Sequence, residues 1–190
     1  MLPKLIRPRR YGDNRGWFTE SYNARRYGDA GIRDTFVQDN HSFSAPKGTL
    51  RGLHFQAIPH AQAKLVRCVA GAIWDVAVDL RDGSPTRGRW VGAELTAEGG
   101  EQLYIPVGFA HGFVTLTEDA HVLYKAGDLY APESEGSIRW DSPELAIAWP
   151  LNGGAPVLSD KDAAASSFAE LIAVFPYEGD PLGDLDEVVL

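Results

Sequence analysis

The chain lacks most of the features that would settle its class at once. Its 190 residues hold a single cysteine, Cys68, so no intrachain disulfide framework can staple the fold. Cys68 sits in an apolar run and reads as a small buried hydrophobe. No segment approaches the ~20 apolar residues that a bilayer-spanning helix needs. The first ten residues, with Lys4, Arg7, Arg9 and Arg10 among them, lack the apolar core of a signal peptide. The expectation is a soluble, cytoplasmic protein with no membrane partner. Cations are in the minority, 18 Lys and Arg against 26 Asp and Glu, for a net charge of −8. That balance argues against wholesale binding of nucleic acid, although a local basic pocket remains compatible with it.

Helical patterning is also scarce; the chain has strands instead. Val66–Leu80 carries Ile73, Trp74, Val76, Val78 and Leu80, with Asp75 and Asp79 between them. From Trp74 onward the period is two, the pattern of a half-buried strand, and Gly71 marks a turn or bulge. Residues 81–85 (Arg-Asp-Gly-Ser-Pro) are a turn signal, and Trp90–Leu95 resumes the strand pattern. Gln102–Pro106, Gly112–Leu116, Val122–Lys125 and Ala146–Trp149 read as further strands. Helices are expected at Ser21–Tyr27 and from Ser159 towards Leu171. Many short strands at this spacing predict an all-β sandwich or barrel with a few short peripheral helices. The length suits one domain, residues 1–190, and the acidic segment 178–190 is expected to be loosely held.

Polar chemistry recurs where core strands would have none. Residues 48–56 (Gly-Thr-Leu-Arg-Gly-Leu-His-Phe-Gln) set Arg51, His54 and Gln56 among apolar neighbours, and Lys64 follows eight residues later. Isolated buried charge is costly, so two cations beside one histidine make sense around an anionic ligand. An imidazole near a fixed ammonium can also take a proton from carbon and hold the resulting oxyanion. A second constellation, Gly100-x5-Pro106-x-Gly108-x2-His111, throws His111 onto the following strand. It resembles the second motif of the cupin jelly-roll barrels, with Thr115 where many of those carry Asn. The first cupin metal motif is not matched, because His54 has no histidine partner two residues away; no metal is expected.

Arg15, in the turn-and-aromatic run Tyr11–Phe18, suits a phosphate contact, or a solvated turn. Glu20, Gln38, Asp39 and Asn40 flank apolar residues as polar turn or edge-strand positions. Ser159-x-x-Asp162 before an alanine run reads as a helix-capping pair, and Asp162 is one of several carboxylates that could orient His54. Tyr124 reads as a core aromatic or as a phenol aimed into a barrel.

Together, Arg15–Glu20, Phe36–His41, Leu50–Gln56, Lys64–Arg67, Ile105–Phe113, Leu123–Lys125, Ser134–Ile138 and Lys161–Ala163 resemble the dTDP-4-dehydrorhamnose 3,5-epimerase family. The resemblance runs in order over residues 5–165. It implies a cupin-type double-stranded jelly roll, a homodimer, no metal or organic cofactor, and a dTDP-sugar substrate inverted at carbons 3 and 5. By the same resemblance His54 is the base, Asp162 its orienting partner, Lys64 the enolate-stabilising group and Tyr124 the acid. Arg15 and Arg51 become diphosphate ligands; Glu20, Gln38, Asp39, Asn40, His111, Glu135 and Lys161 line the substrate site, Asp39 with a side chain that could face away. Leu129 and Tyr130 stand where relatives often carry two aromatics that hold the base. His60 receives no role. The rival readings are a monoepimerase acting at carbon 3 or carbon 5, a metal-dependent cupin enzyme, and a non-catalytic sugar-nucleotide-binding module.

Overall fold

The computed structural model describes residues 1–172 and 174–190. In chain order the elements are β1 (Lys4–Arg7), β2 (Arg10–Asp13), β3 (Gly16–Thr19), α1 (Ala24–Asp29), β4 (Gln38–Ser44), β5 (Leu50–Gln56), β6 (Lys64–Ala70) and β7 (Ala72–Asp79). They continue with β8 (Trp90–Thr96), β9 (Gln102–Ile105), β10 (Phe109–Thr115), β11 (Ala120–Ala126), β12 (Glu135–Ser137), α2 (Asp160–Ala163) and β13 (Asp186–Val189). Two sheets result, in the orders β13-β1-β9-β6-β11-β4 and β12-β5-β10-β7-β8, and β2-β3 forms a separate hairpin. This is the all-β jelly roll expected from the sequence.

Strand alternation assigns the faces. Val66 and Cys68 of β6, Leu103 and Ile105 of β9 and Val122 of β11 meet Ile73 and Ala77 of β7 and Phe109 and Phe113 of β10 in the core between the sheets. Each Val, Leu, Ile or Phe among them contributes roughly 1.5–3 kcal/mol by leaving water. A polar residue in the same rows forfeits that, so its presence calls for a partner or a purpose. Lys64, Asp75, His111 and Tyr124 occupy these rows.

The outer face of the smaller sheet is covered too. Leu53, Phe55, Val76, Val78 and Ala110 pack against Ile138, Leu145, Phe168 and Phe175. This cover corrects the reading of β7 as half solvated: its apolar row faces the covering segment, so Asp75 and Asp79 point inward and are fully buried.

Other expectations also change. Residues 146–149 form no strand; Ala146 adopts φ +45°, and Ile147 and Trp149 lie against the outer cluster. The first helix starts later than expected, at Ala24, because the Asn23 side chain accepts from the backbone N–H groups of Arg25 and Arg26. The second is a single turn. Ser159 caps it through the Asp162 N–H, and Ser167 opens a new capping box eight residues on, which restarts the chain as a short turn at Phe168–Glu170. The acidic segment is tied down: β13 runs parallel to β1, pairing Lys4 with Asp186 through Arg7 with Val189, and Leu182 is buried in the inner core.

The tightest crossing lies between β5 and β10. A Cβ on Gly52 would sit 2.5 Å from Gly112 Cα and 2.9 Å from the His111 carbonyl oxygen, and Gly52 has φ +128°. Gly52→Ala is therefore expected to cost about 2–4 kcal/mol, read as a lowered urea-unfolding midpoint. Gly48→Ala, at φ +82° with open space around it, should cost only about 1–2 kcal/mol.

Candidate active site

The two sheets enclose a cavity of about 240 Å³ lined by Ser42, Arg51, His54, Lys64, His111, Phe113, Tyr124, Ser159, Lys161 and Asp162. Strand irregularity makes this possible. His54 stands opposite His111, but Arg51 stands opposite Phe113, so two intervening residues of β5 stand against one of β10. That bulge breaks the period of two and turns Arg51 and His54, three apart, to the same cavity.

His54 Nε2 lies 2.5 Å from Asp162 Oδ1, across 108 positions of chain. Burial raises the Asp162 carboxyl, but hydrogen bonds from His54 and Ser159 and the His54 charge outweigh it and hold the group below the usual carboxylate range. Asp162 is thus both the helix-capped residue and the imidazole's partner. Arg51 is fixed from its other side, donating from Nε to Ser44 Oγ at 3.1 Å and from Nη2 to the Phe43 carbonyl at 2.9 Å.

Deeper in, His111 Nε2 lies 2.7 Å from Asp75 Oδ1. Burial pushes His111 down and Asp75 up, each towards its uncharged form, against their mutual attraction. Asp75 Oδ2 has no hydrogen-bond partner. Lys64 Nζ lies 3.4 Å from the His54 carbonyl oxygen; burial lowers its amine to about 8, with Asp75 and Glu135 pulling the other way. Tyr124 is raised by burial, an effect that the Arg51 charge reduces and the Glu135 charge reinforces.

Glu135 on β12 meets Lys161 Nζ at 2.6 Å and accepts from the Tyr130 hydroxyl at 3.1 Å, which fastens the cavity rim. On β4 the Gln38 amide donates to Asn40 Oδ1 at 3.0 Å and accepts from the Tyr130 N–H at 3.0 Å. Asn40 pairs in register with Tyr124. Asp39, between them, takes Lys125 at 3.0 Å with its side chain 71% exposed, and so faces away.

Of the expected site residues, Gln38, Asn40 and Glu135 stand beside the cavity without lining it, Asp39 faces away, and two more are held elsewhere. Arg15 sits at the tip of the β2-β3 hairpin, 85% exposed and paired with Asp13, and Glu20 pairs with Arg26 at 3.3 Å. Conversely, the sequence reading missed Asp75, Ser42 and Ser159. The signal for Asp75 was present as one of two carboxylates in a strand whose other residues are apolar; which of its rows faced the core was not. Among the described residues no group of three or more His, Cys, Asp or Glu side chains could hold a metal ion.

Comparison with known proteins shows the family. A family model for dTDP-4-dehydrorhamnose 3,5-epimerase matches residues 3–170. The chain belongs to that family. It is 57% identical to the dTDP-4-dehydrorhamnose 3,5-epimerase of Pseudomonas aeruginosa over 167 residues, 87% of this chain and 91% of that one. The crystal structure of dTDP-6-deoxy-D-glucose-3,5-epimerase from Legionella pneumophila, in complex with dTDP-4-keto-L-rhamnose, superposes with a TM-score of 0.88 at 51% identity, covering 93% and 94% of the two chains. A 3'-monoepimerase from Streptomyces bikiniensis, in complex with dTDP-quinovose, superposes at 0.82 with 37% identity, covering 88% and 84%. Within this dTDP-4-dehydrorhamnose 3,5-epimerase family the chain has Leu129 and Tyr130 side by side on the surface, 61% and 56% exposed. A single aromatic is available there.

The His54–Asp162 contact has a measurable consequence. A carboxyl held below its unfolded value stabilises the fold above that value, and the stabilisation is lost as pH falls through the folded value. Asp162→Asn should therefore unfold at lower urea than the parent at pH 7, and the gap should close below about pH 4. Urea titrations at pH 7, 5 and about 3 check this.

Proposed function

We propose that the protein inverts carbons 3 and 5 of dTDP-4-keto-6-deoxyglucose, giving dTDP-4-keto-L-rhamnose, without a cofactor. Both carbons flank the carbon-4 ketone, so removing either proton generates an enolate. The reaction then needs a base, an oxyanion donor and an acid on the opposite face of the ring. His54, its ring oriented by Asp162 through Nε2, is the base. Lys64, protonated below about 8, holds the enolate oxygen. Tyr124, kept protonated by burial, delivers the new proton.

One observation carries this reading. His54 belongs to the β12-β5-β10-β7-β8 sheet and Tyr124 to the other sheet, yet both line one cavity with Lys64. A sugar ring between the sheets meets base and acid from opposite sides, as inversion requires. His111, Asn40, Gln38, Glu135 and Lys161 surround the sugar and its nucleotide, and Arg51 takes the diphosphate.

Arg15 and Glu20 join the site through a second copy of the chain. Their hairpin stands apart from both sheets, and Tyr11, Trp17 and Phe18 on it are largely exposed, which suits a surface that packs on a partner. The working unit is accordingly a homodimer. No helix among the described residues is long and apolar enough to cross a membrane, and we place the enzyme in the cytoplasm with its nucleotide-sugar substrate.

Proton NMR of dTDP-4-keto-6-deoxyglucose in deuterated water tests the proposal. Deuterium should enter at both carbons. His54→Ala should slow entry at both by about 10²–10⁴-fold. Tyr124→Phe should keep wash-in by His54 while net inversion falls by about 10²-fold or more. Exchange at one carbon alone would reassign the protein as a monoepimerase, and exchange at neither would overturn the reading.

A further inference from the structure

The family match ends at residue 170, but the chain beyond it is built into the fold from two ends. At one end Arg81 is buried, its guanidinium clasping Asp79 from Nε and Nη2 at 2.9 and 2.8 Å. Its remaining nitrogen, Nη1, donates to the carbonyl oxygens of Glu178 and Asp180 at 3.3 and 3.0 Å. The Leu182 N–H then donates to Thr86 Oγ1 at 2.8 Å, and the Leu182 side chain enters the inner core.

At the other end β13 covers the free edge of β1. Lys4 pairs with Asp186, and Arg7 lies between Glu101 at 3.0 Å and Glu187 at 3.1 Å. The pairing runs past β1 to the root of the hairpin. Leu190 donates from its N–H to the Arg7 carbonyl at 3.1 Å, and its own carbonyl accepts from the Arg9 N–H at 2.5 Å. The Arg9 carbonyl in turn accepts from Thr19 Oγ1 at 2.8 Å, which closes the base of β2-β3. On its other side the hairpin is held by Arg10, which donates to the carbonyls of Ala97 and Glu98 and lies 3.9 Å over the Trp17 ring.

We infer that residues 183–190 are a strap that positions the β2-β3 hairpin, and through it Arg15, for the diphosphate of the substrate. The physical reason is leverage. Within one chain the hairpin forms no part of either sheet, so the few bonds at its root set how it is presented to the partner copy. Without β13, β1 becomes an unpaired edge, and one of the hairpin's two lateral attachments is gone. The consequence falls on binding rather than on proton transfer, because no strap residue lines the cavity.

This rests on the role proposed above for Arg15, so the test separates the two. Two variants are compared with the parent: a chain ending at Leu182, which keeps the Arg81 and Thr86 anchors, and the full-length pair Asp186→Asn with Glu187→Gln, which removes only charge. Amide hydrogen exchange is read at residues 10–19 against the core strand 72–79, and dTDP affinity is titrated with and without Arg15→Ala. The truncated chain should exchange at least about tenfold faster in the hairpin with β7 unchanged, and the full-length pair should shift the same way by less. The truncated chain should bind dTDP about 3–10-fold more weakly, Arg15→Ala should add little to that loss, and kcat should hold. Unchanged hairpin exchange in both variants would overturn the inference. So would unchanged dTDP affinity in the truncated chain if Arg15→Ala alone weakens binding. If Arg15→Ala has no effect on its own, the diphosphate role of Arg15 fails and the exchange data decide the strap by themselves.

Discussion

A single buried amine organises this molecule. Lys64 lies in an inward row whose other members are Val66 and Cys68, where an uncompensated charge would be expensive. The fold does not remove that cost; it moderates it. Asp75 and Glu135 draw the proton on while burial drives it off, and the balance leaves the amine near 8 instead of 10.5. A stable core would use a leucine there. What the amine offers in exchange is a charge already stripped of water and facing the cavity, where the proposed reaction would develop an enolate oxygen. At ~4 Å and an effective dielectric of ~20, such a pair attracts by roughly 4 kcal/mol, far more than the same contact in water.

The rest of the site follows from holding other groups around that amine at fixed distances. Two sheets supply two faces, so groups that must act from opposite sides come from different sheets. The β5 bulge adds what regular pairing denies, an arginine and a histidine three apart on one face. Gly52 and Gly112 permit it by letting two backbones meet with no side chain between them. Asp162 reaches His54 from a one-turn helix whose cap, Ser159, also lines the cavity. Its structural and chemical roles thus share one residue.

The sequence carried some of this openly. Period-two patterning and turn residues located β6 to β11 to within a few residues, because those strands have apolar rows bounded by glycine and proline. Other features were hidden for identifiable reasons. The His54–Asp162 pair spans 108 residues, and local spacing holds no trace of it; the family resemblance alone suggested it. The burial of Asp75 was obscured because both faces of β7 are covered, which alternation cannot distinguish from one covered and one wet. The segment 178–190 looked loose because it is acidic and rich in Gly and Pro, yet Lys4, Arg7 and Arg81 provide the cations and donors that hold it. Arg15 and Glu20, which the resemblance pointed to, pair instead with Asp13 and Arg26 in the single chain, and only the proposed second copy would bring them to a site.

The most direct measurement is of the Lys64 amine itself. Carbon-13 NMR of lysine side chains, with Lys64→Arg to assign the resonance, would follow its titration in the intact free enzyme. Below its pKa the group is an ammonium and above it an amine, so the account expects a midpoint near 8. It further expects Asp75→Asn to move that midpoint lower. A midpoint at the ordinary lysine value of ~10.4 would mean that the amine is solvated, and the desolvated oxyanion site at the centre of this account would not exist.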